Sequence, residues 1–151
     1  MNEIKIENNL IKYICKYNRG EYEDSWVRNK DQPWRINIDL VQLIGGINRM
    51  CGDNDSYFIV FIDNNLKKYF LNITYDIDGI QELNKLFEER FKIKLREWCV
   101  DFYDNEKIIY PQKMTEYKLY KKSLKSKLRR ILMIDHEADG ELSDIIKSMR
   151  K

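Results

Sequence analysis

An α+β fold is predicted: a small, mainly antiparallel sheet around a central hairpin at residues 57–75, helices packed on it, and a helical C-terminus. Three observations carry this. Residues 57–62, "YFIVFI", are continuously apolar, which suits a central strand covered on both faces. Asp63-Asn64-Asn65 follow directly, and Tyr69, Leu71, Ile73 and Tyr75 then alternate. Asp and Asn tolerate the dihedrals of a tight turn, so the two stretches read as a hairpin. Elsewhere apolar residues recur at i, i+3, i+4 and i+7, the period of a helix resting on a core. At 151 residues the chain is expected to form one globular domain, 1–151, long enough to bury a core.

The elements follow in order. "NNLIKYICKYNRG" (8–20) places Leu10, Tyr13, Ile14 and Tyr17 on one helical face, opened by Asn8 or Asn9 and closed by Gly20. "EYEDSWVRNKDQPWR" (21–35) is polar and reads as a loop or irregular edge strand, with Pro33 holding Gln32 extended. "IDLVQLIGGINRM" (38–50) reads as a short helix with Asp39 as N-cap, Gln42 as its capping-box partner, and Leu40, Leu43, Ile44 and Ile47 inward. After the hairpin, Asp78 and Gln81 form a second capping box for a helix whose inner stripe is Ile80, Leu83, Leu86, Phe87 and Phe91. "FKIKLREWCVDFY" (91–103) alternates into a strand, and "EKIIYP" (106–111) returns from a turn at Asp104-Asn105. A long helix is predicted over 115–134, with Tyr117, Tyr120, Leu124, Leu128 and Ile131 on one side, and a short helix, "SDIIKSM", over 143–149.

Composition narrows the function classes. Apolar residues make up 43% and charged residues 34%, with 2 Pro and 6 Gly, as in a folded protein without low-complexity linkers. No apolar run approaches the roughly 18 residues that span a membrane, and "MNEIKIENNL" lacks the basic-then-apolar layout of a signal peptide. Cys15, Cys51 and Cys99 are odd in number and far apart. They fit reduced thiols in a cytoplasm better than disulfides or a zinc site. Ala138 is the only alanine, while Ile, Lys, Asn and Tyr abound, a skew expected of an AT-rich bacterial or phage genome.

The most loaded stretch is "DHEADGELSDII" (135–146). Asp135, Glu137, Asp139 and Gly140 match the start of a calcium loop, but position 12 is Ile146 where a bidentate glutamate is needed. The plainer reading is a helix–turn–helix connection, with Gly140 ending one helix and Ser143 capping the next. No metal site is therefore assigned. His136 is the only histidine and lies in this acidic stretch, so Ser–His, Cys–His and multi-histidine metal chemistry lack a partner. "IGGINRMCG" (44–52) lacks the lysine and spacing of a phosphate loop. No catalytic residue and no cofactor are assigned.

Asp101 with Glu116-Tyr117-Lys118 resembles, over a few residues, the Asp … Glu-x-Lys arrangement of metal-dependent nucleases of the restriction-endonuclease type. That resemblance implies carboxylates holding Mg²⁺ and a lysine steadying the attacking water or the phosphate.

Two stretches suit binding. Residues 118–130 hold seven Lys/Arg and no acid in a chain of net charge +2, so the remainder is net acidic. On a helix, Lys118, Lys121, Lys122, Lys125 and Arg129 fall in one stripe, fit for phosphates, anionic lipid or an acidic protein surface, or else a solvated face. Trp26, Arg28, Trp34 and Arg35 are residue types that dominate interface hot spots, though the tryptophans also suit roofing a core. The leading expectation is a cytoplasmic, non-enzymatic protein that occupies a macromolecular partner, most simply another protein, in the manner of a toxin-neutralising immunity protein or an inhibitor. Nucleic-acid or acidic-surface binding through 118–130 is the alternative, the nuclease a further one, and insertion into a membrane is not expected.

The acidic loop yields a first test. Calorimetry should find Ca²⁺ bound no tighter than about millimolar, because the coordination sphere lacks its bidentate ligand. Micromolar binding abolished by Asp139→Ala would overturn this.

Overall fold

A computed structural model describes residues 2–15, 25–51, 54–94, 106–121 and 141–149. Two asparagines shape its beginning. Strand β1 (Asn2–Glu7) turns at Asn8 and Asn9 into antiparallel strand β2 (Leu10–Ile14). Their φ angles are 49° and 63°, the left-handed pair of a two-residue type I′ hairpin, which Asn accepts readily. The helix expected over 8–20 is thus a strand as far as Ile14. Its residues carry both periods, but alternation sets Ile11 and Tyr13 opposite Ile6 and Ile4. That pairing buries side chains from two segments at once.

The polar stretch 21–35 yields helix α1 (Ser25–Lys30) and strand β3 (Trp34–Asn37), which adds to β2 as an edge strand. A 3-10 turn (Ile38–Leu40) follows, capped by Asn37, whose side-chain oxygen accepts the Asp39 N–H at 2.9 Å. Asn37, and not Asp39, is the cap.

Strand β4 (Val41–Cys51) replaces the helix expected over 38–50. Gly45 and Gly46 would each cost about 1 kcal/mol in a helix interior. As a strand, the segment sends Leu43 and Ile47 to one core and Ile44 to the other. At Gly45 a Cβ would lie 3.2 Å from both Leu119 methyls and from the Lys107 carbonyl, so the missing side chain lets those segments close over the strand.

The predicted hairpin is present as β5 (Asn54–Asp63) and β6 (Lys68–Asn72), but its second strand stops at Asn72, short of Ile73 and Tyr75, the expected continuation of the alternation. Asp63 organises its turn: Oδ1 accepts the N–H groups of Asn65 (2.8 Å) and Lys67 (2.9 Å), and Oδ2 accepts the Tyr69 hydroxyl (2.9 Å). Burial and that carboxylate push the Tyr69 phenol up to about 12, since both disfavour the phenolate.

Strand β7 (Ile77–Asp78) runs parallel to β1 and leads into α2 (Ile80–Phe91). The inner stripe of α2 is as expected, with Leu83, Phe87 and Phe91 buried and Ile80 and Leu86 partly so. Its cap is not. Asp78 belongs to β7, and Gly79 holds the N-cap at φ 81° without a side-chain bond. Phe91 ends this helix instead of opening a strand, and the rest of the strand expected to 103 lies largely outside the described residues.

Strand β8 (Glu106–Tyr110) forms as expected and pairs antiparallel with β4. Residues 112–114 make a 3-10 turn. Residues 115–121 are turns and a bridge, Tyr120 to Leu142, so the expected long helix does not begin at Thr115, and 122–134 lie outside the described residues. Helix α3 (Asp144–Lys147) has Ser143 at its N-cap position, but the side chain makes no capping bond.

The α+β prediction holds, with two four-stranded sheets where one was expected: β3-β2-β1-β7 and β6-β5-β4-β8. The second sheet lies in the middle. One core joins the first sheet (Ile4, Ile11, Tyr13, Ile36) and α2 (Leu83, Phe87, Phe91) to Ile44, Ile59, Phe61 and Leu71. The other lies against Leu43, Ile47, Phe58, Val60 and Ile62, and is closed by Val27, Met114, Leu119, Tyr120, Leu142 and Ile146. Among the described residues no helix is long and apolar enough to cross a membrane.

Gly79 offers the sharpest test of this packing. A Cβ there would sit 2.2 Å from the Ile4 carbonyl oxygen, at a φ that L residues resist. Gly79→Ala should lower unfolding free energy by about 2 kcal/mol or more in urea titration, combining backbone strain with the clash. An unchanged midpoint would refute the close approach of α2 to β1.

Candidate interaction surface

The segment from α1 to β3 holds four of the candidate residues, and a buried carboxylate fixes its position. Asp31 is 1% exposed. Its Oδ1 accepts the Tyr13 hydroxyl at 2.5 Å, and its Oδ2 accepts the Asn72 amide at 3.2 Å. Tyr13 in turn accepts the Asn2 amide at 2.6 Å, and Asn72 accepts the Thr74 N–H at 3.0 Å. Tyr13 belongs to the first sheet and Asn72 to β6 of the second, so one side chain ties the two layers. Val27 reaches the second core while Trp34 packs against the first. The segment therefore wraps the β6 edge, and the Lys30 ammonium sits 5.2 Å from the centre of the Phe70 ring.

Trp34 is half-buried in this wrap. Its indole centroid lies 5.6 Å from Tyr13, 5.4 Å from Phe61 and 5.9 Å from Tyr69, and its N–H donates to the Phe70 carbonyl at 2.6 Å. Trp26 and Arg28 fall in α1, with their side chains outside the described set.

Arg35 alternates to the opposite face and is exposed. Among the described residues it has no ion-pair partner. Register places it beside Lys12, which stands opposite Lys5, so three cations form one row across β1, β2 and β3. Like charges directly opposite one another destabilise a sheet. Two glutamates on β1 offset this: Lys5 pairs with Glu3 at 3.2 Å and Lys12 with Glu7 at 2.9 Å. The Lys12 ammonium, first by its hydrogen bond and then by its charge, holds the Glu7 carboxyl below its ordinary range. Asp78 stands next to Glu3 on β7, Ile14 opposite Glu3, and Leu10 between Glu7 and Asn37. The outer face of the first sheet is thus a basic row flanked by carboxylates and two half-buried aliphatic side chains. Lys5 and Lys12 escaped the sequence reading, although the alternation of "EIKIE" and "LIKYI" marks them.

The expected basic stripe is only partly described. Lys118 and Lys121 are exposed but lie on irregular chain, while Lys122, Lys125 and Arg129 are outside the described residues. Lys121 pairs with Asp144 at 3.1 Å and its backbone N–H donates to Glu141 at 2.8 Å. Ser143 N–H donates to the Leu119 carbonyl at 3.0 Å, so this pairing holds 119–121 against 141–143. Lys147 forms an ion pair with Glu141 and, chiefly by that hydrogen bond, lowers the glutamate's carboxyl. Both lysines lie on the side of the second sheet away from the Arg35 face. Glu116 is exposed near Lys118, while Asp101, the third residue of the nuclease resemblance, is outside the described residues, as are Asp135, His136, Glu137 and Asp139. Ile146, at the twelfth calcium-loop position, is 1% exposed within the second core. No group of three or more His, Cys, Asp or Glu among the described residues could hold a metal ion.

No family model, curated protein or solved structure matches this chain.

Trp34 and Arg35 are neighbours with different environments, and substitution should separate them. Trp34→Ala should cost about 3–5 kcal/mol of stability, as large aromatic truncations in a core do, whereas Arg35→Glu should change it by about 1 kcal/mol or less. Equal losses in a denaturant titration would contradict this division.

Proposed function

We propose that this is a non-enzymatic binding protein, acting in the cytoplasm by occupying another protein through the face that carries Arg35. The single observation behind this reading is the contrast within β3: Trp34 and Ile36 are anchored in the core, while Arg35 between them is exposed and has no ion-pair partner among the described residues. A guanidinium on rigid strand backbone loses little backbone freedom on binding and presents a planar fork that suits carboxylates. Arg is also prominent among interface hot spots. An inhibitor or toxin-neutralising immunity protein is the finer form of the proposal, because occupation alone suffices for such proteins. Nucleic-acid binding through the basic run has less support: Lys118 and Lys121, its described members, are not on a helix.

The test is capture followed by reconstitution. Immobilised wild-type protein should retain one protein partner that, once purified, binds at 1:1 in calorimetry. Arg35→Glu should weaken it by about 2 kcal/mol, a hot-spot effect, without loss of fold. A partner bound equally by the variant would remove Arg35 from the interface. Mg²⁺-dependent DNA cleavage abolished by Glu116→Gln would replace the proposal with the nuclease.

A further inference from the structure

We infer that the outer face of the first sheet recognises a narrow strip of carboxylates on a partner protein, bounded by neutral or basic residues. The inference rests on the protein-binding reading above and names the chemistry of the same surface. Its support is the charge pattern fixed by strand register. Lys5, Lys12 and Arg35 stand side by side, about 5 Å apart as neighbouring strands are. Glu3 and Glu7 lie two residues to either side along β1, about 7 Å away, with Asp78 beside Glu3. Three cations and three carboxylates thus share a patch about 14 Å long along β1, in which Glu3 and Glu7 each lie within one Debye length, ~8 Å at physiological salt, of Lys5.

Beyond that distance the patch is close to neutral, and a long polyanion gains little from it. A phosphate backbone laid along the basic row would also pass the flanking carboxylates. At contact the signs resolve, and a short acidic strip with basic or neutral borders meets cations along the row and the exposed carboxylates Glu7 and Asp78 at its margins, while Glu3, only 15% exposed, serves Lys5. Leu10 and Ile14, both half-buried on this face, add apolar contact at two corners. Such alternation favours register and specificity over long-range attraction. It therefore favours a protein surface over nucleic acid.

The experiment is an amide-shift titration of the full chain with three probes. One is a synthetic peptide holding three alternating glutamates between lysines, one a DNA duplex, and one a phosphatidylglycerol-containing vesicle. The expected result is peptide-induced shifts confined to residues 3–14 and 34–37, with affinity reduced at least tenfold in Lys12→Glu/Arg35→Glu. A charge-swapped peptide, three lysines between glutamates, should restore binding to that variant and not to wild type. Peptide shifts that map elsewhere, or survive the double reversal in a folded variant, overturn the inference while leaving the protein-binding reading to its own capture test. Duplex or vesicle binding on this face stronger than the peptide's, and lost on the reversal, overturns it in favour of a polyanion. Shifts with no probe overturn it as well.

Discussion

The rest of the structure depends on a strand with no solvent face. Along β5, Phe58, Val60 and Ile62 enter one core and Ile59 and Phe61 the other, and none of the five is more than 1% exposed. Burial of such side chains is worth about 1.5–3 kcal/mol each, an upper estimate because the unfolded chain already hides some surface. Five of them together compare with the whole net stability of a typical domain, ~5–15 kcal/mol. A strand buried on both sides must have a layer on each, so the first sheet with α2 on one side and the 112–121 and 141–149 segments on the other answer the same requirement. The central place of β5 between β4 and β6 also satisfies its backbone on both edges.

The layers are then locked by polar contacts at the margin of the cores. Asp31 bonds Tyr13 of one sheet and Asn72 of the other, and leaving a buried polar group without its partner costs about 1–3 kcal/mol. Their directionality matters as much as their energy, because apolar cores alone tolerate sliding. Fixing 25–34 around the β6 edge covers part of that edge and holds Arg35 on a defined strand. The buried network and the exposed cation belong to one short stretch of chain, in which structure and proposed recognition are coupled. On the first sheet's outer face, a row of like charges that the fold does not need is offset by glutamates on the same strand.

The sequence by itself determined the α+β class, the β5–β6 hairpin with its Asp63 turn, the inner stripe of α2 and the strand at 106–110. Each is local: an unbroken apolar run, a turn triplet or a helical stripe has one good way to hide its apolar atoms. It also determined that the acidic loop lacks its twelfth ligand, since Ile146 is an apolar side chain wherever it lies. Tertiary structure alone decided β2 and β4. Leu10, Tyr13 and Ile14, like Leu40, Leu43, Ile44 and Ile47, satisfy helical spacing, and only the partner strand or the second core makes extension the better burial. Asn8-Asn9 signalled the first hairpin, yet the same residues can open a helix, so the sign was ambiguous. The cap at Gly79 was hidden because its cause is the Ile4 carbonyl, far away in sequence. The Lys5–Lys12–Arg35 row was hidden for the same reason: it exists only once the register of three strands is set, and pairing energy between segments decides that register.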